Sequence, residues 1–138
     1  MKQREPIRSI MKTELHTVNT TQKLSEVYDL MQEESIHHVP VVEGERLIGL
    51  LSSADILRHT YGNTFAQDEK YVRASLELSS IREAMTEDLL TLNVDSHVKD
   101  AVELLSRGDL HALPVVDGAR LAGMVTSTDV IRHLGDQY

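Results

Sequence analysis

The sequence predicts an α/β (α+β) fold made of two β-α-β-β-α repeats packed about a pseudo-twofold axis. Three observations carry this expectation. The stretch 37–59 (HHVPVVEGERLIGLLSSADILRH) recurs at 111–133 (HALPVVDGARLAGMVTSTDVIRH), offset by 74 residues with no gap. At that offset, residues 7–59 match 81–133 with 19 identities over 53 positions, among them Ile7/Ile81, Arg8/Arg82, Met11/Met85, Thr17/Thr91 and Asn19/Asn93. Self-similarity on this scale is internal duplication. Finally, each copy mixes short apolar runs bounded by turn residues with one segment of helical periodicity.

The elements follow in order. Leu15–Asn19 and Leu89–Asn93 read as short strands. Leu24, Val27, Tyr28 and Met31 fall at helical spacing, as do Val98, Ala101, Val102 and Leu105, and Gly108 stops the second helix. Val39–Val42 and Leu113–Val116 are strands. Pro40 and Pro114 cannot donate to a ladder, so they belong at a strand start or edge. Glu43–Arg46 and Asp117–Arg120 are hairpin turns, and Leu47–Leu51 and Leu121–Val125 return as strands. Ser52 and Thr126 then open helices through Ile56-Leu57 and Val130-Ile131. One copy of about 50 residues buries too little surface to stand comfortably alone, whereas two can share a core. The copies span 7–59 and 81–133, with 60–80 between them. Ala66–Leu78 reads as a connecting helix with Tyr71 and Leu78 as apolar contacts; a disordered linker is the alternative.

Composition narrows the function. Apolar residues make up 41% and aromatics 4%, so the core is mainly aliphatic. There is no cysteine, hence no disulfide and no thiolate ligand or nucleophile. The N-terminal Met1–Pro6 stretch has no apolar segment of the signal-peptide kind. No apolar run approaches the ~18 residues a membrane span needs. The net charge of −8 weighs against a general phosphate-backbone binder, but local donors can still hold a small anion.

Two motifs could carry chemistry. Ser52-x-x-Asp55 and Thr126-x-x-Asp129 lie where a strand turns directly into a helix. As structure alone, each caps its helix, for about 1 kcal/mol. As function, a helix start presents free N–H groups to a phosphate, and an Asp one turn in accepts from a vicinal diol. Together they suit a ribose phosphate. His37, His38 and His111 precede the Pro-Val-Val strands, either bonded locally at a strand edge or serving as phosphate donors. His37 and His38 would point to opposite faces of a strand, which argues against a shared metal. His59 and His133 sit near helix C-termini, where positive charge is favourable. No nucleophile, base and orienter are grouped as catalysis requires.

The repeated pattern His-x-hydrophobic-Pro-Val-Val-Asp/Glu-Gly-x-Arg-Leu-x-Gly, continuing to Ser/Thr-x-x-Asp, resembles a tandem pair of cystathionine-β-synthase (CBS) domains. The resemblance covers 7–59 and 81–133. It implies a Bateman-type module with two clefts that bind adenosine nucleotides or other adenosyl ligands, often assembled as dimers of pairs. Carried over by position, one cleft would use Asp129 for the ribose, Thr126 and Thr128 for phosphate or ribose, and Met124 against the base. Met11 and the backbone near His16 would join it at the adenine, Ile36 below the ring, and His37 and His38 toward phosphate. The other cleft would use Asp55, Ser52 and Leu50 with Met85, Leu90, Leu110 and His111. Ala54 replaces Thr128, and Ala112 replaces His38, so the Asp129 cleft is expected to bind the more phosphorylated ligand or the tighter one.

The expected function is a stand-alone regulatory sensor of AMP, ADP, ATP or another adenosyl ligand, cytoplasmic and homodimeric, signalling to an effector protein of unknown identity. No catalysis, required cofactor, resident metal, nucleic-acid or membrane partner is expected; Mg²⁺ is an optional companion of ATP. The alternative is a dimerisation scaffold with empty clefts.

Overall fold

A computed structural model describes residues 4–61 and 69–138. The chain divides into two compact units, one made of 16–89 and the other of 1–15 with 90–138. Strands and helices are mixed throughout, as the repeat pattern predicts.

In the 16–89 unit, helix α1 (Leu24–Glu34) leads to strands β1 (His38–Glu43) and β2 (Arg46–Ser52), then to helices α2 (Ser53–Tyr61), α3 (Glu69–Leu78) and α4 (Ile81–Ala84). In the other unit, a 3₁₀ turn at Ile7–Ser9 is followed far along the chain by β3 (Leu92–Asn93), α5 (Val98–Leu105), β4 (Ala112–Asp117), β5 (Arg120–Thr126) and α6 (Ser127–Gly135). β1 and β2 form an antiparallel hairpin, as do β4 and β5, and β3 lies parallel to β4. Gly44 and Gly118 enter the tight turns at φ +63°, a backbone conformation that glycine adopts without steric cost. Both hairpins shift register at the same place, between Val41 and Val42 and between Val115 and Val116.

The sequence expectations meet the structure unevenly. The first strand of copy two survives as the two residues of β3, whereas that of copy one shrinks to a single parallel bridge, Val18 to Val41. Both prolines are third in their strands, yet the parallel pairing beside each begins one residue later, at Val41 and Val115. The missing N–H therefore interrupts no parallel ladder. α1 ends at Ser35, which adopts the left-handed conformation, while α5 ends three positions earlier in the repeat. Gly108 at φ +85° stands where the first copy has the helical Glu34.

The connecting helix is described from Glu69; residues 66–68 of the expected helix lie outside the described residues. Its expected apolar contacts are corrected. Tyr71 and Leu78 are exposed, and Leu76 is buried instead, with Val72 one turn before it against the same core. Arg73 fixes that face by donating both terminal nitrogens to Asp29 of α1, at 2.8 and 2.9 Å.

Each unit has its own aliphatic core. One gathers Leu24, Val27, Val39, Val41, Leu51, Leu76 and Ile81; the other gathers Ile7, Ala101, Leu113, Val115 and Val125. Ile7 and Ile81 are equivalent in the repeat and both are fully buried, but each packs with the strands of the opposite copy. The compact units are thus the sequence repeats with their leading turns exchanged.

Candidate functional site

The exchange builds two similar half-sites. Gly123 leaves room for the leading segment of the chain to lie on β5. A Cβ there would meet the Lys12 carbonyl oxygen at 2.8 Å and the Met11 sulfur at 2.9 Å. Lys12 and Met124 exchange backbone hydrogen bonds at 2.9 and 3.0 Å. The second half-site repeats this plan. A Cβ on Gly49 would meet the Met85 sulfur at 2.5 Å, and Thr86 and Leu50 exchange backbone bonds at 3.0 and 2.9 Å. The structure therefore brings Met11 to Gly123 and Met85 to Gly49, each one residue from the predicted Met124 and Leu50.

Both strands run directly into helices through reciprocal caps. The Asp129 N–H donates to the Thr126 hydroxyl at 3.2 Å, and the Thr126 N–H donates to Asp129 Oδ2 at 2.9 Å. The same pair of bonds joins Asp55 and Ser52, at 3.0 and 2.9 Å. The capping role is thus real, and it uses one carboxylate oxygen of each Asp.

The other oxygen differs between the units. Asp55 Oδ1 accepts a hydrogen bond from Arg58 Nη1 at 3.1 Å. Asp129 Oδ1 lies 3.5 Å from Lys12 Nζ and 3.9 Å from Arg132 Nη1, both longer than a hydrogen bond. Both aspartates are largely buried, with 9% and 7% exposure, so their charge is focused on these few neighbours.

The remaining predicted residues are placed as follows. Thr128 is exposed in the first turn of α6, and its counterpart Ala54 is exposed in α2. The His37 carbonyl accepts from the Ser53 N–H, and the His111 carbonyl from the Ser127 N–H, each at 2.9 Å. The His37 ring also lies 3.4 Å from the Ser53 hydroxyl. Within a unit, then, His37 accompanies Asp55 and His111 accompanies Asp129; the pairings implied by the resemblance draw on both units. His38 pairs with Ser52 across the hairpin, and His16 lies 3.5 Å from Glu34. Ile36 and Leu110 are half-buried against their respective cores, and Leu90 is exposed. A cavity of about 440 Å³ between α1 and α2 includes Ile36, His37 and Ser53 but not Asp55. His59 and His133 bond within their own units, to Ser79 at 3.1 Å and to Glu5, 128 residues away in the chain, at 2.8 Å. Among the described residues no three His, Asp or Glu side chains converge as metal ligands.

The sequence reading missed Lys12, Arg58 and Arg132. A signal for Lys12 was present: it follows Met11, whereas the identical Met85 is followed by Thr86.

Comparison with known proteins follows this geometry. The CBS domain family model matches residues 7–62 and 81–136. The uncharacterized protein MJ1225 of Methanocaldococcus jannaschii is 28% identical over 97% of this chain and 44% of its own length. Its solved structure superposes with a TM-score of 0.83, covering 97% of this chain and 49% of that one. CBSX2 of Arabidopsis thaliana, solved in complex with AMP, gives a TM-score of 0.80 at 22% identity, covering 96% and 97% of the two chains. The CBS domain pair of protein MJ0100, in complex with 5-methylthioadenosine and S-adenosylmethionine, gives 0.77 at 25% identity, covering 94% and 99%. The chain spans less than half the length of the first curated relatives it matches. Among the described residues no helix is long and apolar enough to cross a membrane.

Proposed function

The chain belongs to the CBS domain family, and from that premise we propose that it is a regulatory module binding an adenosyl ligand through Asp129 and Asp55. The observation that carries the reading is the divided role of each carboxylate. Oδ2 is held by the helix cap, while Oδ1 faces cationic side chains. A ribose diol can donate to such an oxygen, and the positive end of the adjoining helix dipole favours a phosphate. The solved complexes of CBSX2 and MJ0100 support the ligand class, because AMP, methylthioadenosine and S-adenosylmethionine share the adenosyl group.

The module works without catalysis or a required cofactor, and Mg²⁺ is an optional companion of ATP. It acts in the cytoplasm as a homodimer and reports occupancy to an effector protein by a change of conformation or assembly. A ligand shifts such an equilibrium only by its differential affinity for the two states.

A second reading has one observation in its favour. The reciprocal caps alone account for both Ser/Thr-x-x-Asp motifs, so the protein could be a dimerisation scaffold that binds no nucleotide. Thermal melting with AMP, ADP, ATP, S-adenosylmethionine and NADH separates the two. A true ligand at about 100 times its Kd stabilises by roughly 2.7 kcal/mol. No shift with any of the five favours the scaffold.

A further inference from the structure

We propose that Lys12 makes the Asp129 half-site selective for a phosphorylated ligand, whereas the Asp55 half-site, with Thr86 in its place, has no such preference. The inference rests on the adenosyl-binding reading above and adds to it the residue that sets ligand charge.

The two half-sites share a backbone and differ in charge. Antiparallel pairing puts Lys12 beside Met124 and Thr86 beside Leu50, at equivalent places in the repeat. Lys12 Nζ lies 3.5 Å from Asp129 Oδ1, and its side chain is 60% exposed against 5% for Asp129. Arg132 adds a second cation at 3.9 Å. Two cationic groups thus face one carboxylate. At Asp55, Arg58 is the one cation paired with the carboxylate among the described residues, through a proper hydrogen bond at 3.1 Å, and Thr86 brings no charge.

The Lys12 contact is long and partly solvated, so releasing it costs little. A ribose that donates to Oδ1 displaces the ammonium, whose flexible four-carbon stem can carry it to another acceptor. A phosphate on the same ligand restores the ion pair that the ribose has displaced; an unphosphorylated nucleoside does not. The Asp129 half-site therefore has a net positive charge to offer once the ribose is bound, and the Asp55 half-site has none.

The test is calorimetric titration of AMP and of adenosine into the full chain and into Lys12→Thr, Lys12→Arg and Thr86→Lys. Lys12→Thr should weaken AMP about two- to fivefold at one site and leave adenosine unchanged, a loss in the range of one solvent-exposed charged contact. Lys12→Arg should keep most of the AMP affinity. Thr86→Lys should raise the affinity of the other site for AMP. The wild-type preference for AMP over adenosine should shrink in high salt. Unchanged AMP affinity in Lys12→Thr, or an equal loss of AMP and adenosine, overturns the role of Lys12 while leaving adenosyl binding intact. If wild-type protein binds neither compound, the adenosyl reading fails and this inference fails with it.

Discussion

The 16–89 unit and the unit that joins 1–15 to 90–138 share a hairpin, a reciprocal cap and a glycine beneath an incoming strand, yet they hold the aspartate differently. Asp55 is tied to Arg58 on its own helix. Asp129 faces Lys12, which arrives from the far end of the chain. The first contact is local and self-contained. The second requires the leading segment to dock on β5. Duplication thus preserved the frame and let positions 12 and 86 differ: the Lys12 ammonium meets its aspartate, whereas Thr86 brings no charge. The 16–89 unit also carries α3, clamped by Arg73 to Asp29, an element with no counterpart among the described residues of the other unit.

The exchange of leading turns gives the largest expected effect. Ile7→Ala and Ile81→Ala each remove a fully buried side chain, at a cost of about 2–5 kcal/mol. Hydrogen exchange should localise the damage from Ile7→Ala to 90–138, and that from Ile81→Ala to 16–89. Loss of protection within each residue's own sequence repeat would break the comparison at its root.

Next in size is the ligand response. If each aspartate holds a ribose, Asp129→Ala and Asp55→Ala should each weaken an adenosyl ligand ten- to a hundredfold, the value of a hydrogen bond to a charged group at about 1.5–3 kcal/mol. Calorimetry should show the larger loss for AMP in Asp129→Ala. An unchanged AMP affinity in that variant would remove the functional distinction between the units. Each variant should also lose about 1 kcal/mol of stability from its cap.

The glycines sharpen the comparison further. A Cβ at Gly123 collides with backbone, the Lys12 carbonyl, while at Gly49 the closest atom is the sulfur of the more adaptable Met85. Gly123→Ala should therefore cost about 1–3 kcal/mol in urea unfolding, and Gly49→Ala less. Equal costs would mean that the two docked segments yield alike.

The smallest effect is a pH response in the 16–89 unit. Hydrogen bonds from Arg73 hold the Asp29 carboxyl below its usual range. A carboxyl with a depressed folded-state value contributes stability above the unfolded value of about 3.9. That contribution is lost as the pH falls through the folded value. Amide exchange in α3 should rise on acidification below about pH 4. Arg73→Met should abolish the step.

Much of this was legible in the chain because its signals are local. The turn at Gly44 needs only a residue tolerant of positive φ, the cap at Thr126 needs a carboxylate three residues on, and Leu24, Val27 and Met31 announce a buried helical face by spacing alone. Where the signal was weak, the reading slipped. Tyr71 and Leu78 looked like the apolar face of α3 because they are its largest hydrophobic residues at either end, but packing chose Val72 and Leu76, one turn apart. The strand at Leu15–Asn19 had the composition for pairing, and only Val18 found a partner.

By itself, then, the sequence determined the duplication, the element order within each copy, the paired Ser/Thr-x-x-Asp caps and the difference between Lys12 and Thr86. Tertiary structure alone decided that Ile7 is buried with Leu113 and Val125, that the backbone of Lys12 pairs with Met124, and hence that the Lys12 ammonium stands beside Asp129. The physical reason is range. Caps, turns and helical faces are written in neighbouring residues, but the docking of the leading segment depends on the space above Gly123, far along the chain, and no local pattern encodes which strand will fill it.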